Sequence, residues 1–492
     1  MLCLATIYPD SYNLIDTSCC KMWVNCAMTL SVLGLIYGSL SFFRALSLRI
    51  DLFPRIFVLT VFALLVYSAV LYVGGFTQKF TGGYDNSAGL ALCLAMAFSL
   101  LPNARLGDKK WLIWMLGIAF VLGLLLVKSR TGVICVLFQL LLAKSGLLRR
   151  KVKWFCLLLF VLVPVLWYSK SGSSFGRLFI LLIAFQMFLV HPFLGWGTGG
   201  FEAHYMDYQS EYFKNNPDSS FAILAGTTHH PLNELVAIAV DYGIFALVLI
   251  VLLLYCFLKR NVRLGNMMVV RMLSCIILFS LFSYPLRYPV TFLCLLVIAL
   301  ESYRNRVRGQ KYSCYIKIGV IAVSLSAISL SCVQHRLYRQ WSDVAVSSSD
   351  IVRKSDLRKY QLLARNEKLA GNPQFMYNYS LTLYDKGEYV LAQKEMEKCL
   401  ASYSDYDLEL LAGDIYCALE NDSQALSHYK KAHEMCPACV MPFYSMYKMY
   451  EKRGKYPKMA AIRKSMETKR LKVRSIEVLR LLEEMKVTRD DI

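Results

Sequence analysis

Residues 169–243 read SKSGSSFGRLFILLIAFQMFLVHPFLGWGTGGFEAHYMDYQSEYFKNNPDSSFAILAGTTHHPLNELVAIAVDYG. Apolar stretches flank this segment, yet its middle is polar, aromatic and glycine-rich. It carries four of the seven histidines of the chain, His191, His204, His229 and His230. Spanning helices satisfy their own backbone and offer few free polar groups, so chemistry gathers in a long polar segment between apolar runs. The pattern predicts an all-α polytopic membrane bundle with one large external loop, 169–234.

Outward from that loop, apolar runs cover 22–43, 56–76, 87–101, 111–127, 131–148 and 154–168 upstream, and 235–258, 267–281, 286–300 and 318–333 downstream. That makes about ten spans by the apolar length a bilayer requires. Residues 178–190 are apolar but too short to span, which predicts an interfacial or re-entrant helix. Arg177 would open that helix, with Ser173 or Ser174 as its cap.

The composition agrees with a membrane protein. Of 492 residues, 56% are hydrophobic, too many for an ordinary soluble enzyme. The net charge of +21 could mean nucleic acid, but Lys and Arg cluster in loops after alternate apolar runs, as the positive-inside bias requires. Arg44 and Arg49, Lys109 and Lys110, Arg149 to Lys153, Lys259 and Arg260, and Arg304 to Lys311 mark the cytoplasmic side. Parity then puts 169–234 and everything past Val333 outside. No cleavable signal peptide is evident, and parity predicts an outward N-terminus or a further helix ahead of Met1. The 16 cysteines fall mostly within apolar runs and show no paired framework.

Two domains follow, 1–336 in the membrane and 340–492 soluble in character. The second shows a repeat of about 34 residues. Its best copy, Tyr406 to Cys439, places Gly413, Tyr416, Ala425, Tyr429, Ala432 and Pro437 at the small, aromatic and proline positions of a helix–turn–helix. Gly387, Asn421 and Gly454 recur at spacings of 34 and 33 as turn residues. This resembles a tetratricopeptide array, an α-helical TPR solenoid in which small residues let paired helices approach.

Several motifs have a plain reading beside a functional one. GWGTGG at 195–200 fits a GxGxxG pattern, but no strand precedes it, so a tight turn is the better reading. Cys436 and Cys439 in CPAC lack the context of a redox site and predict a disulfide or simple packing. Arg130 either snorkels at a membrane boundary or holds an anion, since guanidinium matches phosphate oxygens in a planar fork. Arg177 and Arg287 add two more external arginines, harder to explain by orientation alone. His229 and His230 precede Pro231, Asn233 and Glu234 at the head of a span. They could cap the helix or act as a general base. A metal is not expected, because no HExxH or CxxC partner lies near.

Taken together, the pieces resemble the O-antigen ligase family of bacterial envelope glycosyltransferases, which includes protein O-oligosaccharyltransferases. The matching pieces are TGGYDNSAGLAL at 81–92, KSRTG at 128–132, GRLFIL from 177, HPFLGWGTGGF at 191–201 and HHPLNELVAIAVDYG at 229–243. The resemblance covers roughly 50–305, and tetratricopeptide tails occur on some members. It implies a GT-C-like fold in the bacterial inner membrane, with the loop and tail in the periplasm. The implied donor is a glycan on undecaprenyl diphosphate. The implied acceptor is a hydroxyl of lipopolysaccharide core or of protein. The phosphate role passes to Arg130 and Arg177 and the base role to His230. His229, Asn233 and Arg287 fall where substrate would bind. The family pattern has His directly before Asn; here Pro231 and Leu232 intervene, so the base stays open between His229 and His230. No cofactor is implied, since the diphosphate is already a good leaving group. Membrane lipid, and a protein on the repeats, complete the expected partners. The alternatives are an O-antigen polymerase, a non-catalytic scaffold presenting the repeats, and a transporter, which would need more ionisable residues inside its spans.

Overall fold

The computed structural model describes residues 52–143, 171–304, 313–347 and 354–485, with short omissions at 76–79, 82–86, 108–109 and between 468 and 474. The described residues form nineteen α-helices and no strand. The expected apolar runs at 22–43 and 154–168 lie outside the described residues.

The first nine helices are α1 Phe53–Val73, α2 Ser87–Leu100, α3 Lys110–Leu126, α4 Arg130–Ala143, α5 Ser171–Val190, α6 Gly200–Asn215, α7 Glu234–Arg263, α8 Met267–Ser280 and α9 Pro289–Arg304. Two of them, α1 and α7, are long and apolar enough to cross a membrane. Six more apolar helices are shorter. The centre is α2, whose sequence SAGLALCLAMAFSL is apolar on every side. A helix of that kind must be buried all round, and α2 packs against α1, α3, α4 and α8. By contrast, α7 exposes Phe245, Val248, Leu249, Leu252, Leu253 and Tyr255. Large apolar side chains are not left outward in such numbers by a helix meant for water.

Helix α5 departs from expectation. It begins at Ser171 and runs 20 residues, so Arg177 lies in its second turn, not at its head. Ser174 therefore cannot cap it; that side chain is buried inside the helix and accepts a hydrogen bond from Arg130 instead. The apolar run from 178 was short because Gly172, Ser173, Ser174 and Gly176 hide the first turns from a hydropathy count.

Ten helices follow: α10 Ser313–Ser347, α11 Lys354–Leu363, α12 Glu367–Ala370, α13 Pro373–Asp385, α14 Tyr389–Leu400, α15 Tyr406–Ala418, α16 Asp422–Met435, α17 Met441–Lys452, α18 Tyr456–Glu467 and α19 Ile476–Glu484. The expected boundary at 336–340 falls inside α10, whose last turns place Trp341 and Val344 in a core with Tyr360 and Phe375. Three packed pairs follow, α13 with α14, α15 with α16, and α17 with α18. Each pair turns through one left-handed residue: Gly387, Glu420 and Gly454. Asn421 is not the left-handed residue of the middle turn; its side chain caps α16 by accepting from Gln424 N–H. Within that pair, a Cβ on Gly413 would clash with the Tyr429 ring, so only glycine lets these helices close. Cys436 and Cys439 stand as thiols, with Cys436 buried in a core. Of the two earlier readings, packing is the one realised.

The C-terminal helices dock on α6. Phe201, Tyr205, Met206 and Phe213 share one apolar core with Tyr406, Ala432 and Met435. Gln209 Nε2 donates to Met435 O at 2.6 Å, and Lys431 Nζ bridges Asp207 and Glu409 at 2.9 and 2.8 Å. The loop helix α6 and the C-terminal helices α15 and α16 are therefore packed against each other.

Candidate active site

The site begins with a break in α7. Gly243 adopts φ +77°, and the helix resumes beyond it. A Cβ on Gly243 would clash with the carbonyl of Phe193, and one on Gly195 with the backbone of Asp241. The 192–197 segment fills the break: Trp196 N–H and Gly197 N–H donate to Val240 O and Asp241 O, and Ile244 N–H donates to Pro192 O. GWGTGG is thus a turn, with Gly195, Gly197 and Gly199 all left-handed. The Asp241 carboxylate accepts from Gly199 and Phe201 N–H at the head of α6, which fixes that helix over the site.

Asn233 starts α7. Its Oδ1 accepts from Leu235 and Val236 N–H, and its Nδ2 donates to Leu281 O. The cap is therefore Asn233, and the histidines before it are not the cap. Leu232, at φ +55°, is shared between the cavity lined by Arg177 and the one lined by His229 and His230. A non-glycine residue held there is strained, a cost of order 1–3 kcal/mol met at sites the surroundings over-determine.

Three adjoining cavities meet at Leu232. The first, about 370 Å³, is lined by Arg130, Ser174, Arg177, Asn233 and apolar side chains of α4, α5 and α8's end. Arg130 Nη1 donates to Ser174 Oγ at 3.1 Å, and Arg177 Nη1 to Phe282 O at 2.7 Å. The second, about 260 Å³, holds Thr227, Thr228, His229, His230 and Tyr284. The third, about 150 Å³, holds both histidines with Glu202, Asn233, Glu234, Asp241 and Arg287. The structure thus brings all six expected residues to one region, two arginines at an apolar end and two histidines at a polar one.

No family model, curated protein or solved structure matches the chain.

Around the histidines the polar contacts form a chain. Arg287 Nη2 lies 3.0 Å from Glu202 Oε2. Tyr403 Oη donates to Glu202 Oε1 at 3.4 Å and lies 3.2 Å from His229 Nδ1. His229 Nε2 is 3.9 Å from Asp405 Oδ2. That distance is within ion-pair range, but burial works against the charges. It pulls His229 down to about 4 and pushes Asp405 up to about 7, so the imidazole is neutral at pH 7. Burial pushes Glu202 up to about 8, and Tyr403's hydrogen bond opposes this. Because both Glu202 oxygens accept donors, one of them a guanidinium, we take it as a carboxylate held by Arg287. His230 packs against the Tyr284 ring, centroids 5.0 Å apart, and burial and His229 together draw it down to about 3.

Sequence reasoning missed Glu202, Tyr284, Tyr403 and Asp405. Glu202 lies two residues past the glycine turn, and Tyr284 sits three residues before Arg287 in SYPLRYP, so proximity to those stretches could have found both. Tyr403 and Asp405 lie in the C-terminal region and carry no local signal. Among the described residues no group of His, Cys, Asp or Glu is arranged to hold a metal.

Proposed function

We propose that the protein is a membrane glycosyltransferase that moves a glycan from undecaprenyl diphosphate to a hydroxyl acceptor, lipopolysaccharide core or protein. The observation that carries this reading is the meeting at Leu232 of the cavity lined by Arg130 and Arg177 with the two lined by His229 and His230. A lipid diphosphate needs an apolar groove with cations at one end, and the first cavity combines the two. Guanidinium groups neutralise the charge that grows on the departing diphosphate. An acceptor hydroxyl entering from the Glu202 end meets neutral imidazoles able to take its proton. Attack at the anomeric carbon inverts it, breaks the bond to phosphate oxygen and releases undecaprenyl diphosphate. His230 takes the base role, Arg130 and Arg177 the diphosphate, and His229, Asn233 and Arg287 border the acceptor path.

The same reading includes about ten spans in a bacterial inner membrane, a periplasmic loop and a tetratricopeptide-like solenoid over 340–492. The exposed apolar face of α7 and the repeated left-handed turns support it. The test is incubation of purified protein with undecaprenyl diphosphate-linked glycan and each acceptor class, with the product identified by mass spectrometry. Glycan on lipopolysaccharide or protein is the expected result. Lengthened lipid-linked glycan would make it a polymerase, and no product with any acceptor would sink the reading.

A further inference from the structure

The C-terminal helices do more than cover α6. The turn between α14 and α15 enters the candidate site: Tyr403 and Asp405 both reach His229 from a region 174 residues away in sequence. The turn is pinned. Ser404 N–H donates to Ala203 O at 2.9 Å, and Ser404 Oγ donates to Asp207 Oδ1 at 2.7 Å. Both contacts lie on α6, within one and a half turns of Glu202.

The hydrogen-bond directions limit the state of His229. A tyrosine has one O–H, and that of Tyr403 is directed to Glu202. Its oxygen therefore accepts from His229, which puts the imidazole proton on Nδ1 and leaves Nε2 with its lone pair. Tautomer assignments follow from such networks. Asp405 is 1% exposed. Its Oδ1 accepts from Asp407 N–H, while its Oδ2 has no hydrogen bond among the described residues and is directed at His229 Nε2.

We propose that Tyr403 and Asp405 are positioning residues of this site, supplied by the C-terminal helices and acting through His229. Tyr403 sets the ring's tautomer through Nδ1, and Asp405 sets its orientation from the Nε2 side with its carboxyl proton on Oδ2, since a bare carboxylate oxygen would repel the Nε2 lone pair. The inference rests on the transferase reading, and it makes the C-terminal region part of the catalytic apparatus as well as a docking platform. Helices α15 and α16 hold the turn in place through the apolar core shared with α6.

Two conservative variants of the full chain separate positioning from folding. Tyr403→Phe keeps the ring and loses only the hydroxyl. Asp405→Ser keeps a good N-cap for α15, because Ser and Asp cap about equally well, and removes the Oδ2 that faces His229. Each should lower single-turnover transfer by about tenfold, the scale of leaving one buried hydrogen-bonding group without its partner. Binding of the lipid-linked donor should stay within about twofold, since neither residue borders the arginine cavity. A second measurement needs no activity. The ¹⁵N imidazole signals of His229, assigned against His229→Gln, should report the Nδ1–H tautomer in the wild type and lose it in Tyr403→Phe. Unchanged signals in Tyr403→Phe overturn the proposal whatever the rates do, as do wild-type rates in both variants. Altered signals in a protein that transfers nothing would uphold the positioning contact and sink the transferase reading alone.

Discussion

Arg130 Nη1 donates to Ser174 Oγ and so ties the first turn of α4 to the helix that carries Arg177. Ser174 and Arg177 are three residues apart on α5, hence on one face. One side chain thereby holds one arginine at the cavity wall while the next turn presents the other. Two guanidinium groups brought so close repel, and an anion between them relieves the repulsion.

Arg177→Lys should raise the donor KM by about tenfold, on the scale of one charge-assisted hydrogen bond. Lysine keeps the charge but loses the planar fork. Turnover at saturating donor should change much less. Arg130→Lys should move in the same direction. A donor KM unchanged in both variants would remove the arginines from diphosphate binding.

Gly243→Ala should be severely destabilising, by at least about 1–3 kcal/mol from the left-handed backbone alone, because its Cβ would also meet Phe193 O. Gly176→Ala is the matched control. Gly176 lies inside α5 with open space around a Cβ, so alanine there should be neutral or stabilise by about 0.5–1 kcal/mol. Thermal unfolding in one detergent reads both. A stable Gly243→Ala would mean that α7 does not break where the 192–197 turn enters.

The docking of α16 on α6 makes a prediction about sidedness. Asn215 and Lys430 are both exposed, and cysteines there should both react with a membrane-impermeant maleimide added outside. Lys259→Cys, near the far end of α7, should not. Labelling at Asn215 but not at Lys430 is incompatible with the contact between α6 and α16.

The pH dependence of stability isolates Asp405. Its folded carboxyl takes up a proton at about 7, against an ordinary 3.8. Between those values the folded chain holds more protons than the unfolded one, so this contribution is full below about 4 and lost as pH rises to 7. Stability of the wild type relative to Asp405→Asn should fall over that range by on the order of 1 kcal/mol per pH unit, then level off. The opposite shift at His229 is present in both proteins and cancels to first order. A flat difference from pH 4 to 7 would show that the Asp405 carboxyl is not buried.

Most helices were legible because an apolar run has one structural outcome. The run at 87–101 is α2 to within a residue, and that at 267–281 is α8. Legibility failed where polar residues pack inside a helix. Ser174 looked like a cap, but it is interior, and the expected helix from 178 lost its first two turns. The Gly413 and Tyr429 pattern was readable because one requires the absence of the other's steric partner. At the site, Arg130, Arg177, His229, His230, Asn233 and Arg287 stood out as polar residues against an apolar background. Glu202 did not, because its meaning comes from Arg287, 85 residues on. Tyr403 and Asp405 could not, since they become site residues only when α15 and α16 settle on α6.

The two histidines should differ in what they cost. His230 packs on Tyr284 and lines both the cavity with Thr227 and Thr228 and the one that holds Glu202. Burial and His229 keep it neutral and so ready to accept a proton, and they also make it a weaker base than a free imidazole. His230→Ala should therefore bind lipid-linked donor normally while single-turnover transfer falls by about 100- to 10,000-fold, the usual range for general-base catalysis. His229 is held by Tyr403, and its loss should resemble Tyr403→Phe, about tenfold. His229→Ala combined with Tyr403→Phe should cost little more than either alone, because the second change removes a partner that is already gone. Helix α7 is capped by Asn233, so neither alanine should unfold its start, and thermal unfolding checks that. A dead His229→Ala beside a wild-type His230→Ala would move the base one residue back. Wild-type transfer by both would take histidine out of the reaction and leave Glu202, with Arg287 beside it, as the group nearest the acceptor path.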